Sequence, residues 1–590
     1  MHTRVARCSV QKKAQNEFDT CAYVAPTWNN RRGPDCQRTR LCRDSPQSFS
    51  PASIQTRLFE VPFCSTSTPQ FEHVQFRLNQ LVQLASVATQ AFGQDRRRGM
   101  ASLNVLLLPE PGSGHLMSLI EAGKRLLGHC AGAGDDEFTV TVLVVQPPTP
   151  ESASEVGAHV RRVAASGIGV RFHHLPAVEP PADCAGDLQE FKSRYMELYK
   201  PHVEAAAREL GAAALVVDFF ATTVLDVARE LAVPTYVYFT STAALLALML
   251  RLPALDKTVA VDFETFKGTV DVPGLPPVPA GNIPGFLGRK DCPNFTWFVY
   301  HGRRFMDADG IIVNTVTQLE PGLLAAIAEG RCVPGRPAPP LYPIGPVLNL
   351  GVENAASDDE ACVRWLDAQP RASVVFLCFG SLGWFDAAKA REVATGLERS
   401  GHRFLWALRG PPAAAGSRHP SDADLDELLP AGFLERTKDR GLVWPRWAPQ
   451  KAVLSHGAVG GFVTHCGWNS TMESLWHGVP LAPWPLYAEQ RLNAFELVSV
   501  MGVAVAMEVE VDRSRDNFVE AEELERAVRA LMGGGEEGRK AREKAAEMKA
   551  ACRRAVEEGG SSYVALERLR DAIRKAANAT TAHLVKAPLI

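Results

Sequence analysis

The stretch FVTHCGWNSTMESLWHG, Phe462 to Gly478, gathers His465, Trp468, Asn469, Ser470 and Glu473 within nine positions. An apolar run ends in a Cys-Gly turn, and a helix is predicted to open near Asn469. A helix start presents unpaired N–H groups and about half a positive charge, which makes it a ready anion site. His465, Asn469 and Ser470 add side-chain donors at the same place. Asn469 and Glu473, four apart, share a helix face. A carboxylate beside an anion is unfavourable unless it serves a neighbouring group, and paired sugar hydroxyls, which donate two hydrogen bonds to one carboxylate, are such a group. The set fits a phosphate carrying a ribose. Taken singly, each residue has a plainer reading: Asn469 or Ser470 as a helix cap, Glu473 as a solvated acid, His465 as a strand-end side chain. A zinc site from His456, His465, Cys466 and His477 has irregular spacing and no CxxC pair, so no metal is expected.

Such a cluster needs strands and helices to hold it. From Ser102 the pattern is strand, turn, helix. LNVLLLP is a continuous apolar run, as a parallel strand covered on both faces requires. PGSGH turns the chain, and Leu116, Leu119, Ile120, Leu126 and Leu127 then recur at helical spacing. FTVTVLVV, ALVVDFF and TYVYF read as further strands. After the Pro/Gly stretch PPLYPIGPVLNLGVENAASDDE, a linker candidate, the alternation restarts with SVVFLCFGS, FLWAL, LVWPRW, GGFVTH and PLAPWP. The predicted fold is α/β, two doubly wound Rossmann-like domains facing across a cleft, and open α/β sheets bind ligands at their strand C-termini. The expected divisions are an extension over 1–99, a domain over 100–345, a second over 346–560, and a final helix and tail over 561–590 that returns to the first domain. The apolar stretch Thr235–Leu255 is interrupted by polar residues and Arg251, and reads as a buried strand running into a core helix, with no membrane span expected.

The chain has 590 residues, 46% apolar and 22% charged, with a net charge of −3, so no overall basic field favours nucleic acid or anionic membranes. Residues 1–99 differ from the rest: 14 Lys+Arg against 7 Asp+Glu, whereas the remainder carries 49 against 59. That Arg- and Ser-bearing segment reads as an unstructured extension or upstream start ahead of Met100, or as an organelle transit peptide. Only Phe76–Phe92 has the pattern of a short amphipathic helix. The 13 scattered cysteines fit reduced thiols, and the expected location is cytoplasmic, or chloroplast if the extension is a transit peptide.

The 44 residues from Trp447 to Gln490, WAPQKAVLSHGAVGGFVTHCGWNSTMESLWHGVPLAPWPLYAEQ, closely resemble the signature box of plant secondary-product glycosyltransferases, the family-1 UDP-sugar enzymes of GT-B architecture. The resemblance extends over roughly Ser102–Ala577. It implies that Trp447 stacks on uracil and the Ala448 backbone reads the base edge, while Gln450 and Glu473 hold the ribose. It implies that His465, Asn469 and Ser470 hold the diphosphate, with Ser381 facing them, and that Thr240, Trp468, Glu489 and Gln490 contact the sugar. A terminal Gln suggests glucose in this family, whereas His suggests galactose.

The turn PEPGSGH puts His115 at the start of the first helix. A dinucleotide fingerprint fails here, because Met117 stands where the third glycine belongs and the second strand ends in Gln146 without an acid. In the resembling family the histidine at this place is the catalytic base and the aspartate ending the VVD strand, here Asp218, orients it. Imidazole, with an ordinary pKa near 6.5, suits removal of a proton from a phenol or alcohol. The resemblance implies inverting, metal-independent transfer of glucose from UDP-glucose to a hydroxyl of a small lipophilic, phenolic or flavonoid-like acceptor, by a monomer needing no cofactor. C-glycosylation shares every residue named, and a silent UDP-sugar-binding protein is the reading from another class. Two departures stand out: Ser118 replaces a common Pro, and Trp384 occupies a place often held by a small hydroxyl residue. The aromatics of Leu287–Phe305 read either as acceptor-pocket walls or as core.

Overall fold

A computed structural model describes residues 102–128, 138–182, 188–349, 360–413, 418–510 and 517–586. The expectations placed on residues 1–99, including the Phe76–Phe92 helix, lie outside these residues. Two parallel sheets organise the chain. The first contains β1 (Leu103–Leu108), β2 (Phe138–Val144), β3 (Val170–His174), β4 (Ala212–Asp218), β5 (Thr235–Phe239), β6 (Gly310–Val313) and β7 (Leu341–Pro343), in the order β3-β2-β1-β4-β5-β6-β7. The second contains β8 (Val374–Cys378), β9 (Arg403–Ala407), β10 (Gly441–Trp444), β11 (Val459–Thr464) and β12 (Leu481–Pro483), in the order β10-β9-β8-β11-β12.

Both sheets are covered on both faces, which explains their near-continuous apolar strands. Val105 to Leu108 are at most 2% exposed, and Val374 to Leu377 are fully buried. The helix Ser113–Gly128 turns Leu116, Leu119, Ile120 and Leu126 onto the first sheet. In the second half, the Asp386 side chain caps the helix Ala387–Ser400 by accepting from the Lys389 N–H at 2.9 Å, and Gly401 closes it at φ 74°. Thr235–Leu255 is the expected strand and core helix, with Ala243 to Leu250 at most 2% exposed. Among the described residues no helix is long and apolar enough to cross a membrane.

The linker candidate starts later than its composition suggests, inside the expected first domain of 100–345. The linker candidate beginning at Pro339 opens with β7, which pairs with β6 as the edge strand of the first sheet. Proline is tolerated at an edge, where a missing N–H breaks no inner ladder, so the Pro-rich composition concealed a strand. The helix Ser561–Lys586 returns to the first half. Its Ala565, Leu566, Leu569 and Ile573 enter the core with Val105, Val140 and Tyr342, and Ser562 Oγ donates to the Gly345 carbonyl.

In each sheet the strand order reverses between two neighbours, β1 and β4 in the first, β8 and β11 in the second. Their C-terminal ends are where ligands of such folds bind. His115 follows β1 and Asp218 ends β4; Ser381 follows β8 and His465 follows β11. The topology alone brings four of the sequence-predicted residues to two switch points.

Candidate active site

At the first switch point His115 Nδ1 lies 2.7 Å from Asp218 Oδ2. Asp218 is fully buried, and its Oδ1 accepts from the Phe220 N–H at 3.0 Å, so the carboxylate is fixed before it meets the ring. Phe219 and Phe220 flank the imidazole at centroid distances of 5.4 and 5.7 Å, leaving the His115 side chain 22% exposed. With Nδ1–H donating to Asp218, Nε2 keeps its lone pair as a proton acceptor. Burial works against the imidazolium, but the charge and hydrogen bond of Asp218 outweigh it, with Lys192 opposing and Glu110 assisting. The His115 pKa ends above its ordinary 6.5. Ser118, in place of the common Pro, is buried and bonds the Tyr238 hydroxyl at 2.7 Å, tying the His115 helix to β5.

At the second switch point the chain passes through Cys466 at φ 65° and starts the helix Trp468–His477, whose N-cap Gly467 offers no side chain. The N–H groups of the first turn receive no side-chain cap from Gly467, which is the condition for anion binding. The His465 ring is packed tightly by glycine: a Cβ on Gly380 or on Gly467 would come within 2.5 Å of Nε2. Burial alone pulls the His465 pKa down to about 4, and among the described residues its Nδ1 has no hydrogen-bond partner. His465 is therefore a neutral ring at physiological pH. Asn469 and Ser381 are exposed beside it.

Gln450, Ser470 and Glu473 form one cluster: Gln450 Nε2 lies 2.9 Å from Ser470 Oγ and 2.7 Å from Glu473 Oε2. Trp447 is 55% exposed next to the buried Ala448, and its carbonyl accepts from Trp444 Nε1 at 2.9 Å. An open indole face on a fixed backbone is a stacking platform for a flat ring. Glu489 Oε1 accepts from Ser241 Oγ at 3.1 Å, next to Thr240, so a hydrogen bond links the two halves here. Gln490 is 2% exposed, and its Oε1 accepts from the N–H groups of Leu486 and Tyr487 at 2.8 and 2.9 Å.

The Trp468 side chain is engaged within the protein. Its indole N–H donates to the Asn314 carbonyl at 2.6 Å and the residue is 4% exposed, so the side chain bridges the halves and has no donor left for a sugar hydroxyl. Asn314, just after β6, was missed: its Oδ1 also accepts from the Val347 N–H at 2.7 Å, fixing the chain as it leaves the first half. His301 was missed as well. It is fully buried between Ser193 Oγ at 2.8 Å and Thr222 Oγ1 at 2.7 Å, and burial lowers its pKa to about 3. In the Leu287–Phe305 stretch, Phe295, Phe298 and Phe305 are core residues, as the plainer reading had it.

Two facing parallel sheets, a His–Asp pair at one switch point and an uncapped helix start with a Gln/Ser/Glu cluster at the other define a nucleotide-sugar glycosyltransferase of the GT-B kind. The sequence profile of the family described as "UDP-glucoronosyl and UDP-glucosyl transferase" matches residues 341–534. The chain is 56% identical over 481 residues to malvidin galactosylase UGT88C3 of Oryza sativa subsp. japonica, covering 80% of this chain and 98% of that one. It is 38% identical over 476 residues to the anthocyanidin 5,3-O-glucosyltransferase of a Rosa hybrid cultivar, covering 79% and 98%. The solved structure of Phytolacca americana UGT2 complexed with UDP-2fluoro-glucose and pterostilbene matches at 35% identity and TM-score 0.68, over 80% of this chain and all of that one. The chain belongs to the plant family-1 UDP-glycosyltransferases.

Proposed function

We propose that the protein transfers a hexose from its UDP-sugar, with inversion and without a metal, to a phenolic hydroxyl of a flat acceptor of the flavonoid or anthocyanidin kind. The observation that carries the reading is the 2.7 Å His115–Asp218 contact, with the imidazole partly open beside two phenyl rings. His115 Nε2 takes the phenol proton. The phenolic oxygen bonds to the anomeric carbon from the face opposite UDP, and the bond to the UDP oxygen breaks. Asp218 stabilises the imidazolium formed, as in other His–Asp pairs. The departing diphosphate is met by the uncapped N–H groups of the helix Trp468–His477 and by His465, Asn469 and Ser470, with Ser381 opposite. Glu473 and Gln450 take the ribose hydroxyls, Trp447 and the Ala448 backbone take uracil, and Thr240, Glu489 and Gln490 take the hexose.

On the donor, Gln490 supports UDP-glucose. A second reading, UDP-galactose, is favoured by the 56% identity to the rice protein named a malvidin galactosylase. The geometry of Gln490 does not choose between them: the side chain is 2% exposed and its Oε1 is held by two backbone N–H groups. The test is UDP release from UDP-glucose, UDP-galactose and UDP-glucuronate with malvidin and quercetin as acceptors, with the product anomer read by NMR. A β-glycoside from an α-linked donor, formed undiminished in EDTA and lost in His115→Ala, is expected. An α-glycoside, or full turnover in His115→Ala, overturns the reading.

A further inference from the structure

A second buried charged pair stands beside the base and takes no part in the mechanism above. Glu110, in the turn after β1, is 3% exposed and lies 3.2 Å from Lys192 Nζ, whose side chain is 18% exposed. The Glu110 carboxylate is tucked under the turn leading to His115, where a Cβ on Gly112 would sit 2.6 Å from Oε2. Lys192 Nζ stands 5.1 Å from the centroid of the Phe220 ring, the same ring that flanks His115 at 5.7 Å. The helix Leu188–Leu198 that carries Lys192 is pinned at the next residue, fully buried Ser193, by His301 at 2.8 Å, and His301 is held in turn by Thr222 at 2.7 Å. One phenyl ring thus separates a fixed ammonium from the imidazole. Phe220 itself is 4% exposed, whereas the His115 and Lys192 side chains on either side of it are 22% and 18% exposed, so an acceptor with one oxygen at His115 offers a second oxygen a ring away to the cation.

We propose that Lys192 is a specificity-determining residue for the acceptor: its ammonium, anchored by Glu110 across the Phe220 ring from His115, binds a second, carbonyl or anionic oxygen of a polyoxygenated phenol. This rests on His115 being the base. The class selected is flavonols, with their ring carbonyl, and the neutral or anionic quinonoid forms of anthocyanidins, over phenols with a single oxygen. No bond is made or broken at Lys192; the proton still goes to His115 and the hexose to the phenolic oxygen.

The test compares quercetin with 2-naphthol in Lys192→Met, Lys192→Arg and wild type. Removing a hydrogen bond to a charged group predicts a KM for quercetin raised on the order of tenfold, at least fivefold more than the change for 2-naphthol, with Arg restoring most of it. Because Lys192→Met strands a buried carboxylate, the double variant Glu110→Gln/Lys192→Met repeats the comparison with the charges balanced. Equal losses for the two acceptors, or no rise for quercetin, overturn the proposal. The groups facing His115 are Asp218, Lys192 and Glu110. With Asp218 intact, Lys192→Met therefore moves the acid limb of kcat/KM for 2-naphthol to higher pH and Glu110→Gln moves it lower; a limb that stays in place in both overturns the placement of the pair beside the base. His115→Ala tested on 2-naphthol reports separately on the base itself.

Discussion

Each half of the molecule places a histidine just after a strand at its switch point, and the two are held in opposite states. His115 meets a buried carboxylate at 2.7 Å and is pushed above its ordinary pKa; His465 meets glycines and is pulled down to about 4. The same residue type thereby gains a stabilised cationic form in one half and a disfavoured one in the other. Position in the fold selects the place, and the neighbouring strand selects the chemistry: β4 ends in Asp218, whereas β8 leads into Phe379–Gly380 and no acid.

The sharpest way to break the contrast is to exchange losses. His115→Ala is expected to lower kcat by about 10²–10⁴ while UDP affinity, measured by calorimetry, stays within twofold. His465→Ala is expected to weaken UDP binding by roughly 10- to 100-fold, as for a lost hydrogen bond to a charged group; equal effects of the two on both readouts contradict the division of labour. Next in size, Asp218→Asn removes the influence that raises His115. The acid limb of the kcat/KM profile, below which His115 is protonated and cannot accept a proton, should move to lower pH with a reduced plateau, and an unmoved limb contradicts the pairing. Trp447→Ala should cost about tenfold in UDP affinity, within the roughly 1–3 kcal/mol of a base–aromatic stack, and leave the limb in place. The smallest effect is on stability. His115, with a raised folded pKa, stabilises below about pH 6.5, and that contribution is lost as pH rises through its folded value. His465, with a lowered one, costs the fold stability as pH falls from about 6.5 toward its folded value near 4. Thermal midpoints of His465→Gln should gain on wild type as the pH drops through that window; parallel curves contradict a buried neutral ring.

Much of this was legible because it depends on local pattern. Strands buried on both faces announce themselves as apolar runs, and His115, Asp218 and the box from Trp447 to Gln490 sit at fixed offsets from them. What escaped depends on contacts distant in sequence. Trp468 and Asn314 are 154 positions apart, and nothing in HCGWNS says that the indole is spent on a carbonyl of the other half. His301 lies among aromatics in TWFVYHGRR, and a lone histidine there gives no sign of its two hydroxyl partners. Glu110 was passed over as part of a turn, though an acid between two prolines ahead of the base was the available signal. β7 was read as linker because prolines dominate its composition.

The last helix makes the connectivity of the two halves a loop. The chain leaves the first half near Gly345, builds the second, and comes back to seal the first with Leu566, Leu569 and Ile573. A hybrid of two such enzymes cut once near residue 345 inherits its closing helix from the wrong parent and leaves the β1–β2 face mismatched. Grafting a new acceptor half onto this donor half therefore takes two junctions, the second near residue 560.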